Sequence, residues 1–205
     1  NIFLYQEIQR LQAVLGKVTF MLKQVQLAIK GEVVMTEELQ DVIAQMFDAR
    51  PPKSWIVTVA GDEFSWMLPT LGLWFSSLLQ RDEQYRTWLN SSRPLTYWLT
   101  GFFNPQGMLT AMKQEVCRKH QKDANKWALD DIVYHTEVME KASPDSVKSA
   151  PNEGAYISGL WMEGAGWNRH QQEIQESEPK TLYIQLPILY VTANHKVEEA
   201  RIRKE

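Results

Sequence analysis

Ile132-Val133-Tyr134-His135-Thr136-Glu137-Val138-Met139 marks the point where the period of this chain changes. Ile132, Tyr134, Thr136 and Val138 alternate with Val133, His135, Glu137 and Met139, and β-branched or aromatic side chains dominate, which is the pattern of a strand. Downstream, residues 156–161 read as a second strand, broken by Gly164-Ala165-Gly166. Leu182, Ile184, Leu186 and Ile188 alternate again, with Pro187 confining that strand to an edge or bending it. Residues 143–154 read as a loop, 173–180 as a charged connector, and 196–205 as a charged segment without regular structure.

Upstream the period is helical. Leu4, Ile8, Leu11, Leu15, Val18, Leu22, Val25 and Ile29 follow at alternating steps of four and three, a heptad seam along one stripe of a long helix. A stripe that narrow must lie along another surface. Gly31 stands where a terminating glycine belongs. Thr36 is placed to cap a second helix, whose inner face is Leu39, Val42, Ile43, Met46 and Phe47, and Pro51-Pro52 stops it. Leu71, Trp74, Phe75, Leu78 and Leu79 begin a third amphipathic helix, and Asn104-Pro105 opens a fourth with inner face Leu109, Met112 and Val116. Residues 55–60 form a brief apolar stretch of undecided type. Helices before strands predict an α+β fold, with a helical subdomain over 1–125 and a β subdomain over 126–205.

Composition narrows the function. The 205 residues carry 22 Lys and Arg against 25 Asp and Glu, a formal charge of −3, which offers no basic footprint for nucleic acid. The single cysteine, Cys117, excludes an intrachain disulfide and fits a reducing compartment. The uncharged stretches 64–80 and 94–112 are interrupted by Pro69, Gly72, Gly101 and Asn104-Pro105, so both read as core and not as membrane spans. No targeting segment is visible at the start.

Catalytic motifs fail one by one. Gly16-Lys17 lies on the heptad helix and is followed by Val18 where a phosphate-binding loop needs Ser or Thr, and Gly164-Ala165-Gly166 lacks a third glycine. His120, His135, His170 and His195 are scattered without ligand spacing, so no metal site is expected. Asp130 and Asp131 are sequence neighbours and cannot face one substrate from a strand. Cys117 and His120 are three apart on a helix, with no orienting third group. No catalytic, cofactor-binding or metal residue is assigned. The eight tryptophans, spread from Trp55 to Trp167, read as core and interface anchors.

Several stretches, in order, resemble one family, the C-terminal domain of dynein heavy chains. They are Lys30-Gly31-Glu32-Val33-Val34-Met35-Thr36-Glu37-Glu38-Leu39 after the long helix, residues 73–89 with Gln84-Tyr85-Arg86-Thr87-Trp88, and Pro94 to Leu99 leading into Gly101-Phe102-Phe103-Asn104-Pro105-Gln106-Gly107-Met108-Leu109-Thr110. Gly154-Ala155-Tyr156-Ile157-Ser158-Gly159-Leu160-Trp161-Met162-Glu163-Gly164-Ala165, Pro179-Lys180 and Leu186-Pro187-Ile188 complete the set.

The resemblance implies a helical subdomain followed by a small β-barrel-like subdomain, packed across the AAA+ ring of the same heavy chain. The Leu4, Ile8, Leu11, Leu15, Val18, Leu22, Val25 and Ile29 stripe then becomes the ring contact. It implies no cofactor in this chain, with ATP and Mg held in ring modules elsewhere in the parent motor. It also implies microtubules and dynein intermediate and light chains as partners, and no nucleic acid or membrane. The glycine-rich strand with Trp161 is closer to axonemal than to cytoplasmic dyneins, which points to the cytoskeleton of cilia and flagella. Family members continue through further strands, whereas this chain ends in Arg201-Ile202-Arg203-Lys204-Glu205, so the expected barrel is truncated. Gly166 and Asn168 also depart from the family pattern. Two other readings make different demands on the fold: a Trp-rich carbohydrate hydrolase using Asp131 and Glu137, and a free-standing coiled-coil adaptor built on the Leu4–Ile29 stripe.

Overall fold

Helix α1, Ile2–Ile29, runs the full length that the apolar repeat predicts. The computed structural model describes residues 2–59, 62–64, 66, 68–90, 93–122, 127–139, 146–168, 170–171 and 173–202. At the end of α1, Gly31 takes a positive φ of 76°, its N–H reaches the Ala28 carbonyl at 3.0 Å, and the Glu32 N–H reaches Leu27 at 2.9 Å. Paired bonds of this kind close a helix through a left-handed residue, which glycine adopts without strain.

Packing divides the protein into two compact units, Asn1–Arg86 and Thr87–Glu205. In the first, α1 packs on α2 (Glu37–Phe47), on a short 3-10 turn at Lys53–Trp55 and on β1 (Val57–Val59). Thr36 caps α2 as expected, its Oγ1 accepting from the Leu39 N–H at 3.3 Å. The far end of α2 repeats the closure of α1, with Arg50 N–H on the Gln45 carbonyl at 2.8 Å, but an alanine, Ala49, occupies the left-handed position at φ 56°. The undecided stretch 55–60 contributes β1, which pairs with β2 (Asp62–Phe64) in a hairpin. Helix α3, Leu71–Asn90, follows and continues past residue 86. Trp74 on α3 stacks on Trp66 at 4.7 Å and meets Trp55 at 4.7 Å, so these tryptophans are core anchors.

The second unit is built on a four-stranded mixed sheet in the order β3 (Thr96–Trp98), β5 (Ala155–Ser158), β10 (Leu189–His195), β4 (Ile132–Val138). Only β3 and β5 run parallel, and β10 pairs with β4 along all seven residues. Helix α4, Pro105–Lys119, packs on β10 and β4 with Met108, Met112, Val116 and Cys117 buried. Its start follows the expected pattern: the Asn104 side chain accepts from the Gly107 N–H at 2.8 Å, and Pro105 fills the first position. The motif glycines have a shared purpose here. A Cβ on either Gly101 or Gly159 would collide with the indole of Trp98, so the two glycines leave the space that the ring fills.

Several details differ from the sequence reading. The α+β class holds, but the strands close no barrel among the described residues. The sheet is open, with β3 and β4 as its edges. The stretch read as a charged connector carries strand β8 (Glu173–Glu176), which pairs with β7 (Ala165–Asn168) although all four of its residues are exposed. The charged tail forms helix α5 (Lys196–Ile202), anchored through Glu199. The alternating run ending at Ile188 becomes β9 (Tyr183–Gln185), paired with β6 (Trp161–Glu163), and Pro187 lies in the break before β10. The change of period near residue 125 and the division of packing after Arg86 are different boundaries, since α4 belongs with the strands it covers.

Candidate functional site on the first helix

The eight stripe residues separate into two groups. Leu4, Leu11, Val18 and Val25 are buried within the first unit. Ile8, Leu15 and Leu22 are half-buried, and Ile29 is 69% exposed. The second buried row consists of the residues one position earlier, Glu7, Val14, Met21 and Ala28. The helix therefore has three adjacent rows where the heptad repeat has two. Two rows are used inside the unit, and the third, Ile8, Leu15, Leu22 and Ile29, flanks the contact.

Glu7 is the residue that sequence reasoning missed. It sits at 0% exposure on the buried row. Its carboxylate accepts from Arg10 Nη1 at 2.6 Å and from the Tyr85 hydroxyl at 3.0 Å, seventy-eight positions along the sequence on α3. One turn before Tyr85, the buried Arg81 lies with its guanidinium 4.7 Å from the Trp66 ring. Burial lowers the Arg81 pKa while Tyr85 and Glu7 oppose that shift, and burial together with the Glu7 charge raises that of Tyr85. Tyr85 thus stays protonated and donates. A carboxylate without these donors would not survive in an apolar seam. The network fixes α1 to α3 in one register, which decides which row of α1 is left at the surface. In the local sequence only the i, i+3 spacing of Glu7 and Arg10 hints at it.

The candidate reactive groups are not assembled into a site. Asp131 is exposed in the 3-10 turn Leu129–Asp131, and Glu137 is exposed near the far end of β4. Six residues of strand rise separate them by about 20 Å, against the roughly 5–9.5 Å that two carboxylates need across a glycosidic bond. Cys117 donates to the Trp127 carbonyl at 3.0 Å, while His120 bonds Glu153 at 3.0 Å and stacks on the Trp127 ring at 4.0 Å, so thiol and imidazole hydrogen-bond to different groups. His135 is held between Glu137 at 2.9 Å and Glu199 at 2.9 Å. The two carboxylates take opposite ring nitrogens and do not converge on a shared point, and no metal-binding group of three ligands occurs among the described residues. A cleft of about 110 Å³ lies in the second unit between the segment 93–97, α4 and residues 150–156. The Arg93–Glu115 ion pair, 2.7 Å, rims it. No described helix is long and apolar enough to cross a membrane.

Residues 1–204 match the family model for the C-terminal domain of dynein heavy chains. The sequence is 46% identical over 193 residues to dynein axonemal heavy chain 8 of Homo sapiens, covering 94% of this protein and 4% of that one. It is 44% identical over 204 residues to dynein axonemal heavy chain 5 of Mus musculus, covering 98% and 4%. It is also 44% identical over 192 residues to the dynein gamma chain of the flagellar outer arm of Chlamydomonas reinhardtii, covering 93% and 4%. The 205 residues span about one twenty-fifth of the length of these relatives.

Proposed function

Because the protein belongs to the family of dynein heavy-chain domains found at the C-terminus of the motor, we propose that it is the non-catalytic structural and regulatory domain of an axonemal dynein heavy chain, packed across the AAA+ ring of that same polypeptide. The parent is then an ATP-driven microtubule motor of the ciliary or flagellar axoneme. Its nucleotide and Mg sites lie in ring modules outside these residues, and intermediate and light chains join it in the complex. The observation that carries this reading is the third apolar row of α1. Ile8, Leu15, Leu22 and Ile29 keep surface that their own unit does not cover, and a continuous apolar row rimmed by polar residues marks a protein contact.

The same geometry weighs against the two alternatives. A coiled-coil dimer needs both halves of the heptad seam, of which α1 spends Leu4, Leu11, Val18 and Val25 inside its unit, and a hydrolase needs Asp131 and Glu137 much closer together.

The test places Leu15→Asp in the whole heavy chain. A charge on this row opposes docking, because an unpaired carboxylate cannot be buried against an apolar partner. Microtubule-stimulated ATPase is expected to fall while nucleotide binding persists, and the 205 residues alone are expected to turn over no ATP. Unaltered coupling in a correctly folded Leu15→Asp motor would reject the ring contact.

A further inference from the structure

Tyr97 stands at the middle of β3, 6% exposed, and its hydroxyl has no hydrogen-bond partner among the described residues. A buried phenol ordinarily finds one. The ring is packed by Trp88 at 5.1 Å and Phe102 at 6.3 Å. Tyr97 lines the cleft of the second unit, and the charges that act on its hydroxyl belong to Arg93 and Glu115, the ion pair at the rim. The hydroxyl end of the ring is therefore the end that meets the cleft. Burial pushes this phenol up to about 12, against the pull of Arg93 and with a push from Glu115, so it is protonated and donates.

The surroundings of that donor define what it can hold. Pro94, Met112, Val116 and Ala155 supply apolar wall, the last three of them buried. The charged groups at the rim are already matched: Arg93 with Glu115 at 2.7 Å, Lys119 with the Asn152 carbonyl, and Glu153 with His120 at 3.0 Å. A charged ligand would have to take a partner from one of these pairs, leaving the other member uncompensated. An uncharged ligand need not. Glu115 bonds Arg93 through both oxygens, yet a carboxylate has about four acceptor sites and keeps lone pairs for a further donor. The cleft thus presents one donor, Tyr97, and one acceptor, Glu115, on apolar walls. A carboxamide carries the reverse set, a carbonyl acceptor beside N–H donors. Size agrees: a cavity of about 150 Å³ admits benzene, and this one, about 110 Å³, has room for a group somewhat smaller.

We propose that this cleft is a binding site for a small uncharged carboxamide, whose carbonyl accepts from the Tyr97 hydroxyl, whose N–H donates to Glu115, and whose carbon chain lies on Met112, Val116 and Ala155. The inference goes beyond the docking of α1 and does not rest on it, since every residue it uses belongs to the second unit.

The test is photolabelling of the complete heavy chain with a diazirine-bearing pentanamide, read by peptide mass spectrometry, with the matching pentanoate as charged counterpart. The amide is expected to label residues 93–97, 112–116 or 150–156, excess plain pentanamide to protect them, and the pentanoate to leave them unlabelled. Tyr97→Phe removes one oxygen and keeps the ring against Trp88 and Phe102. Protection by pentanamide is then expected to weaken roughly two- to tenfold, the range that one neutral hydrogen bond commands. Labelling by the pentanoate as strong as by the amide would make this an anion site. Absence of protectable labelling in the cleft would mean that water alone meets Tyr97, and protection unchanged in Tyr97→Phe would mean that the hydroxyl holds no ligand. Each of these three results overturns the inference, and the first two are read on the unaltered protein.

Discussion

Replacing Glu7 with leucine would complete the apolar rows of α1, and the heptad pattern considered alone expects a gain of about 1.5–3 kcal/mol from burying the new side chain. The structure predicts the opposite sign. The carboxylate that leaves is wholly buried, with Arg10 at 2.6 Å and Tyr85 at 3.0 Å. Its removal takes the acceptor from a buried phenol and a counter-charge from the vicinity of Arg81, itself 6% exposed. Breaking a buried charged pair by deleting one partner costs about 3–5 kcal/mol. After the leucine gain is subtracted, a net loss of roughly 2 kcal/mol remains. Urea unfolding followed by tryptophan emission reads this directly, since Trp55, Trp66 and Trp74 stack within the same unit. The fourfold change Glu7→Leu, Arg10→Leu, Tyr85→Phe, Arg81→Leu removes Glu7 together with Arg10, Tyr85 and Arg81 and should recover most of the loss, because apolar replacement of a complete buried ionic group is often neutral or better. A Glu7→Leu variant as stable as the parent would refute the reasoning and return Glu7 to the status of an ordinary seam position.

Three other outcomes are expected. Ala49→Gly should stabilise the protein by about 0.5–1 kcal/mol in the same urea assay, because the left-handed strain at φ 56° is relieved at the cost of a more flexible unfolded state. Gly159→Ala should destabilise by roughly 2–4 kcal/mol, combining a positive φ with a Cβ driven into the Trp98 indole, and thermal unfolding would measure it. His135 is raised above its ordinary value by its hydrogen bond to Glu137 first and by Glu199 next. A raised folded-state pKa contributes stability that is complete below about pH 6.5 and is lost as pH rises through the folded value. His135→Gln should therefore lose the decline in denaturation midpoint that the parent shows above about pH 6.5. Glu199 on α5 and Glu137 on β4 are the charged groups bonded to this ring, with Thr192 opposite it on β10 and Asn194 bonded to Glu199 at 3.2 Å.

What can be read from the sequence depends on range. Helix α1, its Gly31 terminus, the Thr36 cap and the Asn104-Pro105 start all rest on neighbours within a turn or two, and all are legible locally. The row Glu7, Val14, Met21 and Ala28 is not, because a glutamate and an alanine look unfit for a seam beside Ile8 and Ile29. Beside its local partner Arg10, the buried Glu7 depends on Tyr85, far along the sequence, for a second donor. The central strand β10 escapes for a related reason. Its Thr192, Asn194 and His195 blunt the apolar alternation, and its place in the sheet comes from pairing with β4 and β5. Strand β8 escapes because it alternates nothing. Polar residues on both of its faces read as a connector.

The strand order also sets a timetable for synthesis. Among the described residues β4 has one strand partner, β10, which is also the last strand to be made. At translation speeds of about 5–20 residues per second, the roughly 60 residues separating them leave β4 without its ladder for several seconds on the ribosome. During that interval Ile132, which ends among the most deeply buried side chains of the unit, has no sheet to join. A message cut short before the codon for Leu189 would release a polypeptide with an orphan strand and a helix face that lacks β10. Such a product is material for chaperones and proteases, and the cell would register the defect as missing protein.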